Sequence, residues 1–515
     1  MISTAMSTPL IELNNARYRI SARNVLRVDA LALFPGQHWC VFGGNGAGKS
    51  MLAALLSGRL CGSGQPTFAD GFDPRADICE VSFAEQKRWW QHDDRHDVSE
   101  FSTSATDAGT TVSALICSAG IDPLDTDRLN SVLTLLDIAA IRNQGIRFLS
   151  SGQVRRALLA RALYRRPKLL ILDNPLESID RISANRIREA IECWMSADNC
   201  TLQLSRRRRD VLPGITHLAL MHDLVVTAVG MRDEVFARSA DTKAPGTSWM
   251  SDVAQLPAEL PAPCVGYEQA LAAPGQSLIS LRGVSAAYGD KPVFSNLHWE
   301  MKAGQHVLIA GPNGSGKSTL LGLIDGDNHK AYGQPVYLFG RLRGTGETVW
   351  QIKARFGVVS NELHNRYIKG WRALDVVVSG FFDSQGLYDD SGAAEASTAQ
   401  AWLKTLGLGE LARAYYHELS FGEQRLVLLA RAMVKQPWVL VLDEASVGLD
   451  DHHRGKLLAM LDLIAKRGRT HIIYISHDDE ECPVFINQKL TFYKSSADAP
   501  AAITVQEIGA GQCDG

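Results

Sequence analysis

The chain contains itself twice. GQHWCVFGGNGAGKS, from Gly36, returns as GQHVLIAGPNGSGKS, from Gly304. FLSSGQVRRALLARAL, from Phe148, returns as ELSFGEQRLVLLARAM, from Glu418. LLILDNPLESID, from Leu169, returns as VLVLDEASVGLD, from Val439. The copies lie 268, 270 and 270 residues apart (304 against 36, 418 against 148, 439 against 169). So steady a spacing over separated segments means a duplicated domain, and it restricts the fold more than any single motif does. A chain of 515 residues is in any case too long for one core. The first copy is placed at residues 8–240, closing after the strand-like HLALMHDLVVTAVGM, and the second at residues 278–510. Residues 241–277, rich in Pro and Ala, read as a partly extended linker.

Each copy has the rhythm of an α/β domain. Short β-rich runs (WCVFGG and VLIAGP) feed glycine loops, and the helix-like MLAALLSG and TLLGLIDG follow. LLILD and VLVLD are wholly apolar, as strands buried on both faces of a mainly parallel sheet must be. Between these landmarks, TVSALICSAG and LDVVVSGFFDS carry helical periodicity and predict a helical subdomain in each copy. QHDDRHDVSEFSTSATDAGT is polar and predicts a loop in the first copy.

Composition narrows the function. A formal net charge of −3 and a pI near 6.5 give no broad basic footprint for nucleic acid. The run Arg206 to Arg209 reads as a solvated local feature. Nine scattered cysteines, none in a C-x-x-C pair, argue against a disulfide framework or a structural zinc site, and fit a reducing cytoplasm. The first residues lack the basic and apolar segments of a leader, and no apolar run reaches the ~18–20 residues of a membrane span. A role at a membrane would therefore require docking onto a partner, on the cytoplasmic face.

The glycine loops carry chemistry. Gly43-Gly44-Asn45-Gly46-Ala47-Gly48-Lys49-Ser50 and Gly311-Pro312-Asn313-Gly314-Ser315-Gly316-Lys317-Ser318, with Thr319 next, follow the pattern G-x-x-x-x-G-K-S. Such loops let backbone N–H groups wrap a phosphate at a helix N-terminus, while the lysine reaches the β- and γ-phosphates and the serine ligates Mg²⁺. Two copies, each between a strand-like and a helix-like run, predict two sites for ATP. An acid ending a later strand should help hold Mg²⁺, and Asp173 and Asp443 stand there. The next residue differs: Asn174 in the first copy, Glu444 in the second. A carboxylate can orient and deprotonate an attacking water; an amide cannot act as a base.

LSSGQ (Leu149 to Gln153) and LSFGE (Leu419 to Glu423) resemble the signature of the ATP-binding cassette family, and the order of motifs is the same in both copies. The resemblance covers nearly the whole chain except the linker. It implies an ATPase whose two cassettes pair head to tail within one chain, as a monomer. One site would join Gly43 to Ser50 and Asp173 with Ser420, Gly422 and Glu423. The other would join Gly311 to Ser318, Asp443 and the catalytic Glu444 with Ser150, Gly152 and Gln153. Asp180 and Asp450 match the family's D-loop. His477 matches the switch histidine that contacts the γ-phosphate, and Arg206 takes its place in the first copy. Tyr288 matches the aromatic that stacks on adenine, where the first copy has Ile20, with Tyr18 two residues earlier. At the Q-loop position the second copy has Asn361 and the first Phe83, with Gln86 a further polar candidate. The departures at Ile20, Asn174 and Arg206 predict an unequal pair, the first site holding ATP and the second hydrolysing it.

FGRLRGTGETVWQIK, from Phe339, and SGFFDSQGLY, from Ser379, further resemble the ModF/PhrA type of twin-cassette protein, associated with molybdate transport and also labelled photorepair. That resemblance implies the ATP-binding component of a transport system, working with a membrane permease or another partner complex. The alternative is a non-transport cassette ATPase acting on ribosomes or in DNA repair. A linker poor in Lys and Arg, and the lack of a visible DNA-binding or zinc module, count against it.

Overall fold

The structure is a computed structural model describing residues 8–20, 25–60, 62–82, 85, 88–89, 109–120, 125–177, 179–240, 259–267, 270–288, 291–325, 333–367, 370–384, 392–477, 482–494 and 499–509. Phe83, Gln86, most of the polar segment expected as a loop (residues 91–108) and residues 241–258 lie outside this set. The chain forms two compact units, one of residues 1–252 with 450–452, the other of residues 253–449 with 453–515.

The first unit carries strands β1 (Ile11–Arg19), β2 (Val25–Leu33), β3 (His38–Phe42), β4 (Thr67–Phe68), β5 (Ile78–Val81), β6 (Leu169–Asp173), β7 (Cys200–Ser205), β8 (His217–His222) and β9 (Val225–Met231). They join in one sheet in the order β4-β1-β2-β9-β8-β3-β7-β6-β5. Strands β3, β5, β6, β7 and β8 pair in parallel, while β1 with β2 and β8 with β9 are antiparallel. The wholly apolar sequences of the inner strands follow from burial on both faces. Trp39 and Val41 of β3 enter one core with β1 and β2; Cys40 and Phe42 enter the other. The first core also takes Leu52, Leu55 and Leu56 of α1 (Lys49–Leu56). The second takes the helical subdomain, made of α2 (Val112–Cys117), α3 (Thr126–Leu135) and α4 (Ser151–Tyr164), with α5 (Arg181–Trp194) packed on α4.

The second unit repeats the plan with one difference. Strands β10 (Ser277–Tyr288), β11 (Lys291–Lys302), β13 (Val336–Leu338) and β14 (Arg341–Leu342) form a separate antiparallel sheet. The other sheet runs β15-β16-β17-β12-β18-β19, from β12 (Val307–Ala310), β15 (Phe356–Val359), β16 (Val439–Asp443), β17 (His471–Ser476), β18 (Gln488–Tyr493) and β19 (Ala502–Glu507). Its apolar faces again split by the two-residue period. Val307 and Ile309 face the antiparallel sheet and α6 (Lys317–Asp325). Leu308 and Ala310 face α7 (Ala373–Val378), α8 (Ala393–Thr405) and α9 (Phe421–Met433). Helix α10 (Asp451–Lys466) closes the same core.

Part of the stretch between the copies belongs to this core. Cys264 is buried there, Leu260 and Tyr267 pack against it, and the Tyr267 and Phe381 rings lie 4.6 Å apart. Among the described residues, Cys40, Cys79, Cys117, Cys193, Cys200 and Cys264 are free thiols. Cys482 is disulfide-bonded, which scattered spacing did not indicate, since proximity in sequence does not fix proximity in space. No described helix is long and apolar enough to cross a membrane.

Trp402 is fully buried in the helical subdomain of the second unit, and its indole N–H has no hydrogen-bond partner among the described residues. Trp402→Ala should therefore destabilise by about 3–5 kcal/mol, the usual cost of emptying such a site. Trp402→Phe should cost much less, since no buried bond is lost. Urea denaturation followed by far-UV circular dichroism checks both; equal losses would contradict the packing argument.

Candidate functional site

Three neighbouring parallel strands build each site. In the first unit β3, β7 and β6 lie side by side and end on the same edge, with Phe42 paired to Ser205 and Asp173 to Leu204. The first glycine of the loop donates its N–H to Ser205 O at 3.2 Å, and Asn174 N donates to Leu204 O at 3.1 Å. In the second unit β12, β17 and β16 repeat the register, with Ala310 opposite Ser476 and Asp443 opposite Ile475. Glu444 N donates to Ile475 O at 3.2 Å. The glycine loop, the switch-position residue and the acid are thus gathered at the carboxyl ends of the strands, where sheets of this kind place their ligands.

The loops turn through left-handed backbone just before the lysine. Gly48 has φ of 97° and Gly316 of 106°. A Cβ on Gly316 would come 2.5 Å from Val293 Cγ1, so neither conformation nor space admits a side chain. Lys49 and Lys317 are buried and arch over their own loops. Lys49 Nζ donates to Gly43 O at 2.8 Å and Gly44 O at 2.7 Å; Lys317 Nζ donates to Gly311 O at 2.8 Å and Pro312 O at 3.0 Å. Burial, and after it the charge of Arg206, lower the Lys49 ammonium to about 8, so it still carries its charge at neutral pH.

Hard oxygen donors meet beside each loop. Ser50 Oγ donates to Asp173 Oδ2 at 3.0 Å. Ser318 and Asp443 line one cavity of about 350 Å³, together with Asp325, Ser360 and Glu362. Burial and the adjacent Glu444 charge raise the Asp443 carboxyl to about 6. A buried acid beside a second acid and a hydroxyl suits a divalent cation. No group of three or more His, Cys, Asp or Glu side chains able to hold a metal occurs among the described residues.

The next position separates the units. Asn174 and Glu444 both adopt left-handed backbone, with φ of 46° and 50°. Asn tolerates this conformation; Glu does so at some cost, of the kind tolerated at functional sites. Asn174 Nδ2 donates to Asp173 Oδ1 at 2.7 Å. Glu444 Oε1 instead stands 3.7 Å from His477 Nδ1. The His477 ring holds the Glu444 carboxyl below its ordinary value, against the opposing effect of burial. In the first unit Arg206 takes the place of His477 and forms an ion pair with Glu177.

The signature motifs begin helices. Ser150 caps α4 by accepting from Gln153 N at 3.3 Å, and Gln153 Oε1 accepts from Ser150 N at 2.9 Å. Ser420 and Glu423 make the same reciprocal box at α9, at 3.3 and 2.7 Å. The boxes fix helix N-termini whose remaining N–H groups and dipole favour an anion. The middle glycine permits close packing of the helix that follows the D-loop. A Cβ on Gly152 would meet Ser183 Oγ at 2.6 Å, and one on Gly422 the His453 ring at 2.2 Å. Asp180 caps α5 through Ser183 N at 2.9 Å, and Asp450 is buried.

Other positions behave differently. Tyr288 ends β10 opposite Lys291, and its side chain lies outside the described set. Ile20 is exposed and Tyr18 half-buried. Asn361 is held by the buried Arg425, which also donates to Ser360 O at 3.1 Å. Arg155 at the matching position of α4 donates to Asn174 O at 3.1 Å. Sequence reasoning passed over Arg155, Arg425 and Glu177. For the two arginines the available signal was their repetition, five residues after each signature serine.

These features define a nucleotide-binding ATPase domain present twice. The ABC transporter family profile matches residues 26–177 and 294–447, and the chain belongs to that family. It is 33% identical to the ABC transporter ATP-binding protein ModF of Escherichia coli (strain K12), over 94% of this chain and 96% of that protein. It is 25% identical to an uncharacterized ABC transporter ATP-binding protein of Schizosaccharomyces pombe, over 88% and 91%. Among solved structures, the archaeal ribosome recycling factor aABCE1, in complex with stalk protein aP1, matches with a TM-score of 0.59 and 17% identity, over 95% of this chain and 89% of that one. RNase-L Inhibitor matches with the same score and 16% identity, over 95% and 90%. At such identities the two structures speak for the fold alone. The chain is thus a twin-cassette ATPase that binds ATP.

Gly422→Ala should lower ATP turnover at least tenfold, because the new methyl forces α9 away from the His453 ring. Adding His453→Ala should restore much of the loss. Steady-state phosphate release measures both, and failure of the second change to rescue would show that the glycine acts otherwise.

Proposed function

We propose that the two cassettes share two Mg-ATP in the head-to-tail manner of their family and that the second cassette's P-loop site performs most of the hydrolysis. The observation that carries this reading is the contrast at one backbone position. Glu444 offers a carboxylate beside His477, whereas Asn174 offers an amide already bonded to Asp173. At the second site Gly311 to Thr319 would cradle the phosphates, Ser318 and Asp443 would hold Mg²⁺, and Tyr288 would stack on adenine. Mg²⁺ there supplies charge neutralisation of the phosphate oxygens. Glu444 orients the attacking water and takes its proton as the water oxygen bonds to the γ-phosphorus; the bond to the β-phosphate oxygen breaks and ADP leaves with that oxygen. Ser150, Gly152 and Gln153 of the opposing signature would complete this site; Ser420, Gly422 and Glu423 would complete the other, with Asp180 and Asp450 between them. Loss of the γ-phosphate removes support from the closed pair, so hydrolysis drives opening.

The work done by this cycle is proposed as that of a transport system, on the strength of the E. coli relative's name and its near full-length match. The protein would act from the cytoplasm, docking as a monomer on a membrane permease or a similar complex, with molybdate as the oxyanion to test first. A Glu444→Gln protein held closed by ATP should co-purify with that partner from membranes; recovery with ribosomes would favour the translational reading instead.

Glu444→Gln should lower steady-state turnover by about 10²–10⁴-fold, as expected for loss of a general base. Asn174→Ala should change it less than about twofold, because the amide takes no part in proton transfer. Abolition by the second substitution with retention in the first would reverse the assignment.

A further inference from the structure

The two units differ at three matched positions together. Where the second has Glu444, Val447 and His477, the first has Asn174, Glu177 and Arg206. The carboxylate has moved three residues along the same turn, and its cationic partner has changed with it. Arg206 and Glu177 form an ion pair, with the arginine side chain only 13% exposed and the glutamate 26%. Arg206 directly follows β7, whose last residue, Ser205, accepts the N–H of Gly43. This starts the Arg206 side chain beside the glycine loop. Its charge is felt there, since it is the largest influence on the Lys49 ammonium after burial. Burial brings Arg206 itself down to about 10, so it remains charged at neutral pH.

One carboxylate does not exhaust a guanidinium. Arg has five N–H donors in a planar fork, and an ion pair through one nitrogen leaves others to bind a second oxyanion. A carboxylate that fixes the fork in advance also reduces the entropy lost when that oxyanion binds. Imidazole, in the same place in the second unit, offers at most two donors and no planar fork.

We propose that Glu177 is a positioning residue that holds Arg206 against the terminal phosphate of the nucleotide at the first P-loop, making that site select triphosphate over diphosphate through a permanent positive charge. The inference deepens the proposed holding role of the first site and rests on that reading. Its consequence is specific: the Glu177–Arg206 pair should matter for ATP and hardly at all for ADP, which lacks the group it contacts.

The test uses the full-length chain carrying Lys317→Ala, which confines binding to the first P-loop. The probes are a fluorescent hydrolysis-resistant ATP analogue and the matching fluorescent ADP. Glu177→Gln and Arg206→Ala should each reduce the preference for triphosphate about tenfold, the loss of one oriented charge-assisted contact. Glu177→Asp should recover part of it. Once Arg206→Ala is present, Glu177→Gln should have no further effect, because the two act as one unit. Unchanged ADP binding shows that the loop itself is intact. An unchanged preference in Glu177→Gln, or equal weakening of both nucleotides, would overturn the proposal. Hydrolysis at the first site in the unmodified chain would sink the holding role yet leave this contact standing, so the two failures are told apart.

Discussion

Each site depends on the register of three adjacent parallel strands. Because β3, β7 and β6 pair side by side, a glycine loop ends at one edge with an acid and a switch-position residue that both lie more than a hundred residues later in sequence. The second unit obtains the same gathering from β12, β17 and β16. A strand slip of one residue would turn every side chain to the opposite face and remove Asp173 or Asp443 from the loop. The dense apolar filling of both sheet faces prevents this. The antiparallel strands are freer, joining the main sheet in the first unit and forming their own in the second. In both units the loop and the acid are carried by the parallel strands, so the difference leaves their gathering unchanged.

The same edge explains how duplication could lead to unequal chemistry without unequal folding. The N–H of Asn174 and the N–H of Glu444 make the same bond to the neighbouring strand, and both residues take left-handed backbone. The scaffold therefore fixes where the side chain begins but not what it does. Asn suits that backbone more comfortably than Glu. Conformational preference alone would thus favour the amide in both units, and retaining a carboxylate at Glu444 is the more costly choice. On the reading proposed above, catalysis is what that cost sustains.

Much of this was legible from sequence, and the parts that were not share a cause. The repeat spacing located both units, and the apolar runs LLILD and VLVLD located the inner strands, because burial on two faces leaves a pattern with no competing explanation. The glycine loops were legible because a phosphate cradle demands glycine, lysine and serine at fixed intervals. Glu177 was not, because an acid in a polar turn looks solvated until β7 brings Arg206 beside it. Arg425 was hidden in the same way, as one more basic residue on a helix, until it proved buried and bonded to Asn361. Cys264 lay in a stretch whose Pro and Ala content suggested extension, yet it fills a gap in the helical subdomain. Sequence patterns report a residue's own preferences; these residues are defined by a partner distant in the chain.

Asn361 shows how such a partner can change the meaning of a familiar position. A side chain at the Q-loop position lies next to the cavity lined by Ser318 and Asp443, through its neighbours Ser360 and Glu362. Here it is engaged by Arg425, which is carried on α9 and so on the helix begun by the signature motif. Asn is one methylene shorter than Gln, and a shorter amide already satisfied by a buried guanidinium has less reach toward a cation. The same bond ties the nucleotide cavity to the helical subdomain through two charged or polar groups rather than through loop backbone alone. In the first unit, Arg155 makes its bond to the backbone of Asn174 instead. The arginine is common to both units, and what it grips differs. The helix begun by the signature is therefore joined to the Q-loop position through a side chain in the second unit, and to the turn after the acid through the main chain in the first.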